Sequence, residues 1–352
     1  MNETKITPRQ SFILQIINKS DGIPRDEIQG QVQIRYAISK PTLLRDLNTL
    51  LAQKYIRAEG QGRNTMYHSY SQNFLLRYIN LDHYFAQEPD ERKDAKRSFD
   101  FTIFKYLNNL FSREERLTID RVRKSFTDQS RRFPPDILKK ELERFTIELS
   151  WKSSKIEGNT YTLLETEALL TKKREASGRS KEETNMILNH KNAFEQILAD
   201  RSDFKELTVS LINQLHNTMI KDLGVSTGLR KHAVGITGTV YKPLDKLYQI
   251  QEAMEKFIGT LNTNPDVLEK ALIASVMIPY IQPYSDGNKR TGRMLTNAIL
   301  LAHDYYPLSY RSVDEEEFKK VLILFYERAN IVHAKSLFID QLLFSYTTYF
   351  QQ

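Results

Sequence analysis

Three observations predict a mainly α-helical protein with more than one domain. The 352 residues exceed twice the usual domain length. Apolar residues recur at three- and four-residue spacing through most of the chain. Only two short stretches, around residues 55–70 and from Arg230 to Pro243, alternate in the manner of strands. Hydrophobic residues at 40% and charged residues at 27% exclude wholesale disorder and low-complexity classes. The absence of cysteine excludes disulfide scaffolds, thiolate zinc sites, iron–sulfur clusters and thiol nucleophiles, and agrees with a reducing compartment. Met1 to Ser20 has no signal-like apolar run, and eighteen consecutive apolar residues occur nowhere. The expectation is a cytoplasmic chain without a membrane partner. A net charge of +7 permits a polyanionic partner without requiring one.

Residues 1–72 read as three short helices and a hairpin. Thr7 can cap the first helix, Pro8 fits its opening turn, and Phe12, Ile13, Ile16 and Ile17 supply its apolar face. The second helix starts near Pro24-Arg25-Asp26-Glu27, its acidic residues well placed for the helix dipole. The third has Ser39 as N-cap, Pro41 in its first turn and Leu43, Leu47, Leu50 and Leu51 on one face, which leaves Lys40, Thr42, Arg45 and Asn48 outward. After Tyr55-Ile56-Arg57 the segment Gly60-Gln61-Gly62-Arg63-Asn64 is a turn, and Met66, Tyr67 and Tyr70 resume an extended pattern. This order resembles a winged helix-turn-helix, a family whose third helix enters the DNA major groove. Ten Lys or Arg against six Asp or Glu place +4 of the +7 here. The resemblance implies duplex DNA as a partner, with Arg57 and Arg63 on phosphates and Lys40, Thr42 and Arg45 on bases. A protein-contact module is the alternative.

Residues 73–145 carry charge clusters, Glu88 to Arg97 and Arg113 to Arg116, around Tyr84, Phe85, Phe101 and Phe104, and read as a helical connector without chemistry. From 146 onward helical periodicity dominates, as in Leu188, Ala193, Phe194 and Ile197, in Leu211, Ile212, Leu215 and Met219, and in Ala271, Leu272, Ser275 and Val276. Val234, Ile236 and Val240 around Thr237-Gly238 predict a β-hairpin lying across this body. Trp151 reads as a packing anchor. None of the seven histidines forms a metal pair, and His190 and His216 fall within helical patterns as structural residues.

The chemistry-bearing segment is Gln282-Pro283-Tyr284-Ser285-Asp286-Gly287-Asn288-Lys289-Arg290-Thr291-Gly292-Arg293, a loop entering a helix. Gly beside Asn permits tight backbone geometry, helix N-terminal amides face an anion, and three cations within five residues suit phosphate. Asp286 adds one hard oxygen ligand of the kind Mg²⁺ accepts beside substrate phosphates. A solvated basic turn is the alternative on these grounds alone.

The segment resembles the signature of the Fic (Fido) family, His-x-Phe-x-Asp-Gly-Asn-(Gly or Lys)-Arg-x-x-Arg. Ser153-Ser154-Lys155-Ile156-Glu157-Gly158-Asn159 is similar to that family's inhibitory motif, and the hairpin from Gly235 to Pro243, with Ile236, Thr237 and Gly238, to its target-binding flap. The resemblance spans about residues 146–345 and implies an all-helical Fic core, here 146–352, with an inhibitory helix around 150–159. Active members transfer AMP from ATP to a hydroxyl of a target protein. Carried over, Asp286 holds Mg²⁺, Gly287 and Asn288 wrap the phosphates, Arg290 meets the α and β phosphates and Arg293 the γ. Lys289 stands where many members have Gly, and Tyr284 replaces Phe as the loop's anchor. Glu157 pairs with Arg293 where the γ-phosphate would lie, with Ser153 fixing the helix. Gln282 occupies the position of the catalytic His, and a carboxamide is no base near neutral pH, so a loss of about 10²- to 10⁴-fold in transfer is expected. The implied function is an autoinhibited, transfer-impaired relative of protein adenylyltransferases. A non-catalytic ATP-sensing DNA-binding regulator is the alternative, and a homodimer is compatible with the family.

Overall fold

The computed structural model describes residues 7–70, 73–130 and 134–349, which divide into two compact units: one from the N-terminus to Lys93 together with Ala329–Val332, the other Asp94–Arg328 and the chain from His333 onward. The stretch read as a connector, 73–145, is thus shared between them, with the division at Lys93.

In the first unit, α1 (Pro8–Asn18) opens on a capping box: Thr7 Oγ1 accepts from Gln10 N and Gln10 Oε1 accepts from Thr7 N at 2.9 Å. A two-residue strand β1 (Ile23–Pro24) precedes α2 (Arg25–Gln33), and α3 is Lys40–Ala52. Ser39 stands at the N-cap of α3, but its hydroxyl meets Thr42 Oγ1 at 3.0 Å rather than a backbone amide. Leu43, Leu47 and Leu50 are fully buried with Ile13, Ile17, Ile28 and Val32. Strands β2 (Ile56–Glu59) and β3 (Met66–Ser69) pair antiparallel, and β1 adds to the other edge of β3, giving the order β1-β3-β2. The turn between β2 and β3 needs Gly60, whose φ is +85° and where a Cβ would lie 2.5 Å from Asn64 O. Helix α4 (Leu81–Phe85) follows, and Ile331 returns to donate its amide to Leu75 O.

The second unit is helical: α5 (Arg113–Ser130), α6 (Pro135–Ile156), α7 (Leu163–Lys172), α8 (Lys181–Ala199), α9 (Val209–Met219), α10 (Leu247–Thr263), α11 (Val267–Ile281), α12 (Asn288–Ala302), α13 (Glu315–Arg328) and α14 (Val332–Thr348). Thr162 with Glu165, and Ser180 with Glu183, form capping boxes that start α7 and α8. Helix α6 ends where Gly158 takes φ +96° and its amide bonds Lys155 O, which leaves Glu157 at the C-cap. Helices α11 and α12 pack closely because Gly292 faces Pro279, where a Cβ would come within 3.1 Å of Cδ. Thr296 Oγ1 also reaches Ala271 O at 3.2 Å.

The hairpin expected across residues 235–243 does not form. Among the described residues the segment from Arg230 to Pro243 has no paired strand, only a parallel bridge between Ser98 and Lys242. The amides that a hairpin would pair are bonded elsewhere: Arg230 N to Pro283 O, Lys242 N to Arg97 O, Val240 N to Glu327 Oε1 and Tyr241 N to Thr239 Oγ1. Alternation at Val234, Ile236 and Val240 reports an extended segment with one face inward, which requires no strand partner.

Candidate nucleotide site

The loop between α11 and α12 is built by its own side chains. Gln282 ends α11 in the left-handed region (φ 51°), an uncommon conformation for a residue with a Cβ. Its carboxamide is engaged at both ends: Nε2 donates to Pro279 O at 2.7 Å and Oε1 accepts from Asn288 Nδ2 at 2.8 Å. Asn288 also accepts from Tyr284 N and donates to Tyr284 O, so its side chain braces the loop from within. Tyr284 is wholly buried, donates to Asn213 Oδ1 at 2.8 Å and stacks on His216 with ring centroids 3.6 Å apart. Burial pushes its phenol well above the ordinary value. His216 Nε2 donates to Asp286 O at 3.0 Å; burial pulls the imidazole down to about 4 against that bond, so the ring is neutral.

Gly287 (φ 79°) precedes the first residue of α12 and has no side chain with which to cap the helix, which leaves the first turn without a side-chain cap beside the space above the loop. That space is a cavity of about 420 Å³ lined by Gln282 and Ser285–Lys289 of the loop, Val234–Thr237 of the extended segment, Lys319, Leu322, Ile323 and Tyr326 of α13, and Glu157. Gly238 turns the extended segment (φ 84°) beside Ile323. Arg290 is buried; Nη2 pairs with Asp286 Oδ2 at 2.8 Å, and Nη1 has no hydrogen-bond partner among the described residues. A buried guanidinium donor without an acceptor beside a helix N-terminus is matched to an anionic ligand.

Arg293, one turn farther along α12, is 1% exposed and held on three sides. Nε donates to Ser153 Oγ, Nη2 to Ser153 O and Nη1 to Glu157 Oε1, each at 2.9 Å. Lys289 Nζ bonds the other Glu157 oxygen at 2.9 Å. Burial alone would raise the Glu157 pKa, but the Arg293 and Lys289 charges and hydrogen bonds outweigh it and bring it down to about 2. His190, buried and pulled down to about 3 by desolvation, donates Nδ1–H to Met186 O and accepts at Nε2 from Ser153, which fixes that hydroxyl for Arg293.

Residues 206–300 match the family model described as Fic/DOC family. The matched stretch lies within the second unit and includes the α11–α12 loop. Protein adenylyltransferase Fic of Drosophila ananassae is 29% identical over 156 residues, which are 44% of this chain and 31% of that relative. The corresponding protein of Drosophila grimshawi is 30% identical over 156 residues, 44% of this chain and 32% of the relative. The match therefore spans about a third of these relatives' length. A Fic domain-containing signaling protein from Bacteroides thetaiotaomicron shares the fold with a TM-score of 0.55 at 21% identity, covering 65% of this chain and 94% of that one. Fic-1 from C. elegans has a TM-score of 0.57 at 18% identity, with 67% and 71% covered.

The second unit contains two anchors that no sequence pattern marks. Arg230, 2% exposed, donates to Gln282 O at 2.7 Å, His232 O at 2.5 Å and Leu244 O, stapling both ends of the extended segment to the loop. Glu327, fully buried, accepts from Thr239 Oγ1 at 2.6 Å and Val240 N at 3.3 Å. Neither sits in a periodic or spaced motif, so local reasoning has nothing to find them by. For a cation, Asp286 alone offers an exposed carboxylate at the loop; among the described residues no group of three His, Asp or Glu could hold a metal. One carboxylate suits Mg²⁺ when polyphosphate and water supply the other ligands.

The N-terminal unit presents Lys40 and Arg45 exposed on α3, with Thr42 half-buried and accepting from Arg45 Nη2 at 3.4 Å. Arg57 is paired with Glu59 on the same strand, so a phosphate would have to compete with that carboxylate. The Arg63 side chain lies outside the described residues. No helix among the described residues is long and apolar enough to cross a membrane.

Proposed function

We propose that this chain binds Mg-ATP over the α11–α12 loop as a Fic-type AMP-transfer domain held back twice, by Glu157 at the phosphate end and by Gln282 at the chemical step. In the transfer, a target-protein hydroxyl oxygen bonds the α-phosphorus, the bond to the β-phosphate bridging oxygen breaks and pyrophosphate leaves, while the hydroxyl proton needs an acceptor. The observation that carries the reading is the Gln282 carboxamide, satisfied at both ends within the loop, beside Arg290 paired with Asp286 and Arg293 paired with Glu157. A neutral amide locked to Pro279 O and Asn288 neither accepts that proton nor swings freely toward the hydroxyl. Arg290 and the uncapped α12 amides would take the α and β phosphates, and Arg293 the γ once Glu157 withdraws. Asp286 would hold Mg²⁺, which when bound neutralises phosphate charge. Residues 234–237 would position the target.

A second reading, an ATP-sensing DNA-binding regulator, is favoured by one observation: α1–α3 followed by the β2–β3 hairpin follows the element order of a winged helix, with Lys40 and Arg45 unburied on the third helix. The experiment is incorporation from α-labelled ATP with Mg²⁺ by wild type, Gln282→His, Glu157→Gly and the double variant. Under the first reading the double variant transfers most and each single less, since base and clamp act on different steps. Wild type as active as the double would mean that Gln282 does not limit transfer. A double variant that binds ATP without transferring would favour the regulator.

A further inference from the structure

Arg293 and Lys289 hold the same carboxylate in different ways. Arg293 keeps two bonds to Ser153 whether or not Glu157 is present, so its guanidinium stays in place when the carboxylate leaves. Lys289 has no such second anchor: among the described residues, Glu157 Oε2 is the only acceptor its ammonium reaches. Its side chain is 29% exposed and lines the cavity at the first turn of α12, where the amides already favour negative charge. A carboxylate leaving the cavity would strand this cation, and an entering polyphosphate would meet it. The four-carbon stem lets the ammonium move between the two at small cost.

We propose that Lys289 is an exchangeable counter-ion, pairing with Glu157 in the closed site and with nucleotide phosphate in the open one, so that each anion displaces the other from the same cation. This rests on the reading of Glu157 as a clamp. The consequence is a coupling. Removing Lys289 weakens the clamp and the bound nucleotide together, and the two losses offset each other only while Glu157 is present.

The test is titration calorimetry of Mg-ATP with the full chain as wild type, Lys289→Met, Glu157→Gly and the double variant, with Lys289→Arg as the conservative control. Thermal melting of each variant without nucleotide accompanies it. Where Glu157 is Gly, losing Lys289 should weaken Mg-ATP about 5- to 10-fold, a charged hydrogen bond discounted for partial exposure. Where Glu157 is present, the same change should alter affinity less than about twofold or tighten it, and Lys289→Arg should resemble wild type in both backgrounds. Melting should fall on loss of Lys289 only when Glu157 is there. Equal weakening of Mg-ATP in both backgrounds would make Lys289 a plain phosphate ligand and overturn the exchange. No effect in the Glu157→Gly background would make it a structural residue and would overturn the exchange as well. If Glu157→Gly alone fails to tighten Mg-ATP, the clamp itself is wrong and this proposal falls with it.

Discussion

Replacing Glu157 by Gln keeps the shape of the side chain and removes its charge, which isolates the electrostatic part of the clamp proposed above. The carboxyl is brought from the usual 4.5 to about 2 by Arg293 and Lys289, so the folded domain favours the ionised form by about 3 kcal/mol. The variant should lose stability of that order at pH 7, because Arg293 remains buried with one neighbour neutralised. For a unit of this size that corresponds to a fall in Tm of about 6–12 °C. The sign with pH is set by the depressed folded pKa: the contribution is complete above about pH 4.5 and disappears as pH falls toward 2. The melting difference between wild type and Glu157→Gln should therefore be full at about pH 6–7 and narrow clearly by about pH 3. The same energy is what an incoming phosphate has to displace, so Mg-ATP should bind the variant more tightly, by up to about 10²-fold. Calorimetric melting at several pH values and titration at neutral pH measure both quantities. Equal Tm values at neutral pH, or a gap that persists unchanged in acid, would refute the electrostatic account of the clamp.

Arg230→Met should destabilise the second unit by about 3–5 kcal/mol, since it leaves the carbonyls of Gln282, His232 and Leu244 without their buried donor; denaturant unfolding reads it, and a loss under about 1 kcal/mol would mean that water replaces the guanidinium. The joint change of Lys40 and Arg45 to Ala in the full chain should weaken duplex binding in anisotropy measurements and flatten its salt dependence, and unchanged binding would move any DNA contact off α3.

Local features were legible in the sequence because their physics is local. Thr7 caps α1 through a residue three positions away, and Leu43, Leu47 and Leu50 bury together because their three- and four-residue spacing puts them on one face. In the loop 282–293, glycine, a helix start and three cations within a dozen residues are local features that suit an anion, with a solvated basic turn as the alternative. The pairing of Glu157 with Arg293 was reached only through a family resemblance, since 136 residues separate them. Tertiary structure alone decided what depends on the chain returning to itself. Ile23–Pro24 became a strand because β3 offered a free edge, and residues 235–243 did not become a hairpin because Arg97, Thr239 and Glu327 took their amides. Lys289 found Glu157, Arg230 found three carbonyls, and Gln282 was locked by Asn288 and Pro279 for the same reason. Periodicity states which face of an element turns inward, but the identity of a buried polar group's partner is set by which other element arrives there, and that information is distributed over the whole fold.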